Sequence, residues 1–138
     1  MEKEINDYFR EITQELYAEA EARLEKYGLV KGQAQLLLLI RDNEGCTQKD
    51  LANYYNVKYS SISERLNKLE NAGFIIRQHE DGNFKNNRLY ITPEGKTATV
   101  QCRRVMKEID AKLYKGISKK DIAQFEKLLK KMIDNMNA

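Results

Sequence analysis

The run from Thr47 to Pro93 constrains the architecture more than any other part of the chain. Thr47-Gln48-Lys49-Asp50 places a hydroxyl at a helix N-cap and a carboxylate three residues later, the reciprocal pairing that satisfies the first free amides of a helix. A helix from about Gln48 to Tyr55 is predicted, broken at Asn56-Val57. A second helix then carries Ile62, Leu66 and Leu69 on one face and stops at Gly73. Phe74-Ile75-Ile76 followed by Arg77-Gln78-His79 reads as a strand with an increasingly exposed end, and Arg88-Leu89-Tyr90-Ile91 as its return. Between them, Glu80 to Asn87 is polar apart from Phe84 and includes Asp81-Gly82-Asn83, a turn signal. The order is helix, turn, helix, wing.

Long helices flank this unit. Ile5, Phe9, Ile12, Leu16, Ala20, Leu24 and Tyr27 recur at steps of three or four, and Gly28 supplies a stop. Gly32 to Asp42 reads as a more apolar helix around Leu36 to Ile40, closed by Asn43-Glu44-Gly45. Thr92-Pro93 opens a fifth helix reaching about Gly116, with Val105, Ile109 and Leu113 on one side. Ser118-Lys119-Lys120-Asp121 repeats the capping pattern before a sixth helix striped by Ile122, Phe125, Leu129, Met132 and Met136. A winged unit is too small to cover these outer stripes, so they are expected to pack on each other across a dimer. The expected fold is mostly α with a small β wing. A winged helix-turn-helix core at about 32–92 lies between dimerisation helices at about 2–28 and 93–137, all in a single domain over 1–138.

Composition narrows the function. One Pro and seven Gly in 138 residues argue against an all-β or loop-built chain, and 33% charged residues suit a soluble, helix-rich one. No apolar run approaches the roughly 18 residues that span a bilayer, and the start, MEKEINDYFREITQE, lacks the basic and apolar regions of a signal peptide. Two distant cysteines, Cys46 and Cys102, fit a reducing cytoplasm, so a cytoplasmic location without membrane partners is expected. His79 with those two cysteines gives three ligands, one short of a structural zinc site, and neither a metal nor a cofactor is expected. No Gly-rich phosphate loop, nucleophile elbow or metal-ligand spacing appears, so no catalytic residue is assigned and the chain reads as a non-enzyme.

The net charge of +3 is unevenly spread. Residues 1–30 carry eight acids against four bases, whereas 103–138 carry ten bases against five acids, so the first helix and the last two could be partners. Residues 58–96 hold seven bases and five acids, a balance of only +2, and contact with DNA would need placed residues rather than sheer basicity.

With these elements in place, the chain resembles the MarR family of dimeric winged-helix regulators. The resemblance is carried by GLVKGQAQLLLLI, CTQKDLANYYNV, YSSISERLNKLENAGFIIR and RLYITPEGK. Leu51-Ala52, Val57, Leu66, Leu69-Glu70, Gly73, Arg77, Thr92 and Gly95 are specific in combination. It implies a homodimeric, sequence-specific binder of double-stranded DNA, a ligand-responsive repressor on a palindromic operator. A small aromatic or lipophilic effector would sit between the dimerisation helices and the winged unit. The wing departs from the family pattern, with Asn83 and Lys85 where an Asp and an Arg are common. Lysine can neutralise a phosphate but lacks the planar fork of arginine, so weaker or differently placed wing contacts are expected.

The candidate DNA-binding residues follow from the second helix of the motif and the wing. Ser60, Ser61 and Ser63 suit phosphate oxygens or bases at a helix N-terminus, or else simply cap the helix. Glu64 and Asn67 share the outer face, and Asn67 could pair with adenine or touch the backbone. Lys68, Lys85 and Arg88 could neutralise phosphates. Tyr59, like Tyr54, could donate to a phosphate, whereas Tyr55 is expected in the core. Arg77 is read either as a brace for the wing strand or as the partner of an acidic neighbour. Cys46 and Cys102 are read as packing residues rather than redox sensors. A second reading, motivated by the weak charge and the missing wing arginine, is a winged-helix protein-interaction module without DNA binding.

Overall fold

A computed structural model describes residues 1–29, 32–80 and 83–138, the side chains of residues 80 and 83–86 excepted. The helices are α1 (Ile5–Leu24), extended by a single 3-10 turn at Glu25–Tyr27, α2 (Gln33–Asp42), α3 (Gln48–Tyr55) and α4 (Tyr59–Asn71). Strands β1 (Ile75–Glu80) and β2 (Asn83–Ile91) follow, then α5 (Pro93–Leu113) and α6 (Lys119–Met136). The described residues divide into two compact units, Met1–Met106 and Lys107–Ala138.

In the first unit, the α3 cap forms as its spacing requires. Thr47 Oγ1 accepts from the Asp50 amide at 3.1 Å, and the Asp50 carboxylate accepts from the Thr47 amide at 3.0 Å. The Thr47 amide first, and then the Thr47 hydroxyl, hold the Asp50 carboxyl below its usual range. Asn56 ends α3 in the left-handed region, φ 51° and ψ 49°, with its amide bonded back to Ala52 and Asn53 carbonyls. Asparagine tolerates that conformation better than most residues, which permits a turn of three residues before α4. The core is built from Leu36, Leu37 and Ile40 of α2, Leu51 of α3, and Ile62, Leu66 and Leu69 of α4. Ile75 and Leu89 of the hairpin complete it, and every one of these is at most 2% exposed.

The hairpin pairs Ile75 with Ile91, Arg77 with Leu89 and Gln78 with Arg88, then shifts register so that Glu80 faces Asn83. β2 is longer than the four apolar-rich residues foreseen: it begins at Asn83, which pairs with Glu80 beyond the register shift, although asparagine is a poor strand former. The turn foreseen at Asp81-Gly82 lies outside the described residues. A third segment borders β2 on its other side. The Gly45 amide donates to the Leu89 carbonyl at 2.8 Å, the Leu89 amide donates to the Cys46 carbonyl at 3.0 Å, and Thr47 bridges Arg88. The Glu44 carboxylate accepts from the Ile91 amide at 2.9 Å, so the link between α2 and α3 is sewn along the strand.

At the base of the hairpin, Thr92 joins three elements. Its amide donates to the Phe74 carbonyl at 3.1 Å, its hydroxyl donates to the Gly73 carbonyl at 2.6 Å, and the same oxygen accepts from the Gly95 amide at 3.0 Å as the cap of α5. Gly95 is buried against this junction, and a Cβ there would lie 2.1 Å from the Phe74 carbonyl oxygen. In the second unit, Ser118 caps α6 by accepting from the Asp121 amide at 3.1 Å, and no α6 residue is buried. No helix among the described residues is long and apolar enough to cross a membrane.

Gly95→Ala tests the junction, because two effects compete there. Alanine within a helix ordinarily gains roughly 0.5–1 kcal/mol over glycine, whereas overpacking against a fixed carbonyl costs about 1–3 kcal/mol or more. The clash wins on these magnitudes, and the urea midpoint should fall without a change in slope.

Candidate nucleic-acid interface

Helix α4 buries Ile62, Leu66 and Leu69 completely, and that stripe fixes what the helix turns outward. At 100° per residue, Ser60, Glu64 and Asn67 lie opposite the stripe. Ser60, Ser61, Glu64, Asn67 and Lys68 are exposed, while Tyr59 and Ser63 are half-buried on its flank. The N-cap is Lys58, with extended backbone angles and no side-chain bond to the first turn. The serines therefore do not occupy the N-cap position, and they ride on the first turns of a helix whose N-terminal end carries a partial positive charge.

Exposure along β1 does not follow polarity. Ile75 is buried and Ile76 is 55% exposed, as strand alternation demands. Arg77 therefore faces inward with Ile75, its side chain only 10% exposed. The expected gain of exposure toward the strand end fails there, because the pleat and not the residue type sets the direction. Its guanidinium gathers acceptors from two helices: the Glu70 carboxylate at 3.3 and 3.4 Å, Gln48 Oε1 at 3.5 Å, and the Asn67 side-chain oxygen. Both sequence readings of Arg77 hold, since it pairs with an acid and braces the strand. Burial of the Tyr59 ring raises its phenol, opposed by the charge of Arg77.

The orientation of every amide in this cluster follows from one fact, that arginine only donates. Gln48 must present oxygen to Arg77, and Asn87, 2% exposed, then donates from Nδ2 to the same Gln48 oxygen at 2.9 Å. Asn87 consequently presents its own oxygen to His79 Nδ1 at 3.0 Å, so His79 carries a proton on Nδ1. The network runs from α4 through β1 to the first turn of α3 and back to β2. One donor is left over: Gln48 Nε2 is buried without a hydrogen-bond partner among the described residues.

Of the remaining candidates, Arg88 is exposed and spends Nη1 on the Gly45 carbonyl at 2.9 Å, which fastens the third segment to the wing. Lys85 lies on β2 by its backbone, but its side chain and that of Asn83 fall outside the described set. Tyr54 is 69% exposed, and Tyr55, expected in the core, is only half-buried and meets Tyr54 edge to face. Burial raises the Tyr55 phenol most, with Tyr54 adding to it and Arg65 opposing. Both thiols are disfavoured as thiolates: burial and the nearby Asp50 charge raise Cys46, and burial pushes Cys102 up to about 11.

Arg65, Gln48 and Asn87 were not singled out from the sequence. Arg65 stands exposed on α4 within reach of the candidate face, and the run Ser61 to Lys68 contained it in plain view. Gln48 and Asn87 carried no signal, because a glutamine after an N-cap and an asparagine in a polar stretch ordinarily face water.

These features define a winged helix-turn-helix fold with an exposed second helix. Comparison with known proteins agrees. A profile of the MarR family matches residues 29–86. The HTH-type transcriptional regulator YybA of Bacillus subtilis is 30% identical over 103 residues, covering 72% of this chain and 69% of that one. The chain belongs to the MarR family of transcriptional regulators. An HTH-type transcriptional regulator of Bacillus cereus is 32% identical over 75 residues, 54% of this chain and 49% of the relative, so the chain spans about half that relative's length. The solved structure of a MarR-family transcriptional regulator of Listeria monocytogenes, complexed with 26mer DNA, matches with TM-score 0.85 at 26% identity. The match covers 98% of this chain and 90% of that one. These relatives are transcriptional regulators.

Gln48→Ala removes the acceptor shared by Arg77 and Asn87. Because Asn87 is buried, its amide hydrogens would lose their partner at a cost of about 1–3 kcal/mol. Alanine is the better helix former, so any loss of stability in a denaturant titration reports the network and not helix propensity.

Proposed function

We propose that this chain is a sequence-specific, double-stranded-DNA-binding transcriptional regulator that acts as a homodimer on a palindromic operator, and that it represses until a small ligand releases it. The observation that carries the reading is the outer face of α4. Ser60, Ser61, Glu64, Asn67 and Lys68 are all exposed on one helix whose opposite side is locked into the core. A helix so held offers its N-terminal turns to a major groove while the adjacent hairpin reaches the flanking backbone. In this reading Ser60, Ser61, Ser63 and Tyr59 contact phosphates or bases, Glu64 and Asn67 face base edges, and Lys68, Lys85 and Arg88 neutralise phosphates. The complexed 26mer DNA of the Listeria relative supports the partner class.

The domain scheme and the dimer belong to the same proposal, with the winged unit at about 32–92 and the dimerisation helices at about 2–28 and 93–137. On α1, Ile5, Tyr8, Ile12 and Tyr17 are 44–67% exposed, and on α6, Phe125, Leu128, Met132, Ile133 and Met136 are 40–86% exposed. Apolar stripes of this length on water-facing helices favour a second copy as cover. For the effector, an open hollow of about 430 Å³ lined by Ala18, Glu21, Ala22, Glu25 and Leu29 is of the size that holds small molecules. An aromatic or lipophilic ligand is proposed. A cytoplasmic location fits a DNA partner.

Selection of bound fragments from genomic DNA tests the function. Enrichment of palindromes with half-sites about 10 bp apart is expected, and loss of binding to every fragment by an intact dimer would favour the protein-interaction reading instead. On a selected fragment, Lys85→Ala should weaken binding and lower the salt slope by about one. Ile133→Glu should shift the mass measured by light scattering from dimer to monomer, and an unchanged dimer would exclude the α6 stripe from the interface.

A further inference from the structure

Asn67 stands on the exposed face of α4, yet half of its amide is already committed. Its side-chain oxygen accepts from Arg77 Nη2. Because a guanidinium has no acceptor, the atom facing it must be the oxygen, whichever way the amide is drawn. Arg77 cannot swing away cheaply. Its side chain is 10% exposed, the same Nη2 also donates to Glu70 at 3.3 Å, and its other nitrogens are held by Glu70 at 3.4 Å and by Gln48 at 3.5 Å. Gln48 is in turn fixed by Asn87 at 2.9 Å. The amide nitrogen of Asn67 is therefore the part left to face outward.

Asparagine pairs with adenine through two bonds, its oxygen accepting from N6 while its nitrogen donates to N7. With that oxygen turned inward to Arg77, the amide presents only its donating nitrogen to the groove. Guanine presents two acceptors side by side in the major groove, O6 and N7, and no donor beside them. Adenine puts its N6 donors where the donating amide would need an acceptor. Resting on the DNA-binding reading above, we infer that Arg77 sets the specificity of Asn67: it turns the amide donor outward, so that Asn67 selects guanine and rejects adenine in each half-site. Arg77 is a positioning residue here, and Asn67 is the residue that touches the base.

The test is selection from randomised duplexes with the wild type, Asn67→Ala, Asn67→Asp and Arg77→Leu. The wild type should require guanine at one position per half-site. Asn67→Ala should flatten that preference by at least about fivefold, and Asn67→Asp, an acceptor without a donor, should move it toward cytosine, whose N4 donates. Arg77→Leu frees the oxygen and should admit adenine at the same position. If Arg77→Leu does not fold, binding of the wild type to duplexes carrying 7-deazaguanine decides, since loss of the N7 acceptor should weaken the wild type severalfold and leave Asn67→Ala unchanged. A wild-type preference for any other base at the Asn67-dependent position, or variants that keep the wild-type preferences throughout, would overturn the inference while DNA binding stands. Failure of the wild type to enrich any duplex would overturn both.

Discussion

The winged unit depends on one guanidinium turned inward. A guanidinium offers five donors and no acceptor, so a fold that buries one must collect acceptors around it. Strand alternation decides that Arg77 points inward, and it then draws Glu70 and Asn67 from α4 and Gln48 from α3. A buried charge with its acceptors removed is far more costly than a surface pair, so these elements are tied as a set. The position of the wing relative to α4 is thus fixed by chemistry that apolar packing alone would leave loose.

Much of the architecture could be read from the residues, because it rests on local rules. Thr47 and Asp50, Thr92 and Ser118 announced three helix starts with their own side chains, and each cap formed. Ile62, Leu66 and Leu69 set the orientation of α4, and the outer face followed by subtraction. The polar network could not be read in this way. It joins residues 29 and 39 positions apart, Arg77 and Asn87 to Gln48, and no local pattern reports such a pairing. Arg77 was legible as a brace or an ion-pair partner, but not as both.

The length of β2 shows the same division. Asn83 to Asn87 look like a loop by composition, yet β2 extends over them, with Asn83 paired to Glu80 beyond the register shift. Arg88 is a further instance: as a surface base it reads as a phosphate contact, whereas its bond to Gly45 also gives it a structural duty. A residue holding its own scaffold keeps fewer donors for a ligand, so counting bases on a candidate surface overstates what that surface can offer.

Thr92 has a mechanical consequence. Three hydrogen bonds on one residue join the end of α4, the start of β1 and the first turn of α5, and the missing side chain at Gly95 lets the backbone close upon Phe74. Such a joint has no slack. A twist applied to the start of α5 cannot be absorbed by sliding, because a shift of even one bond length would unseat the cap and the strand end together. The hairpin and this helix terminus behave as a crank and its shaft, turning together or breaking apart.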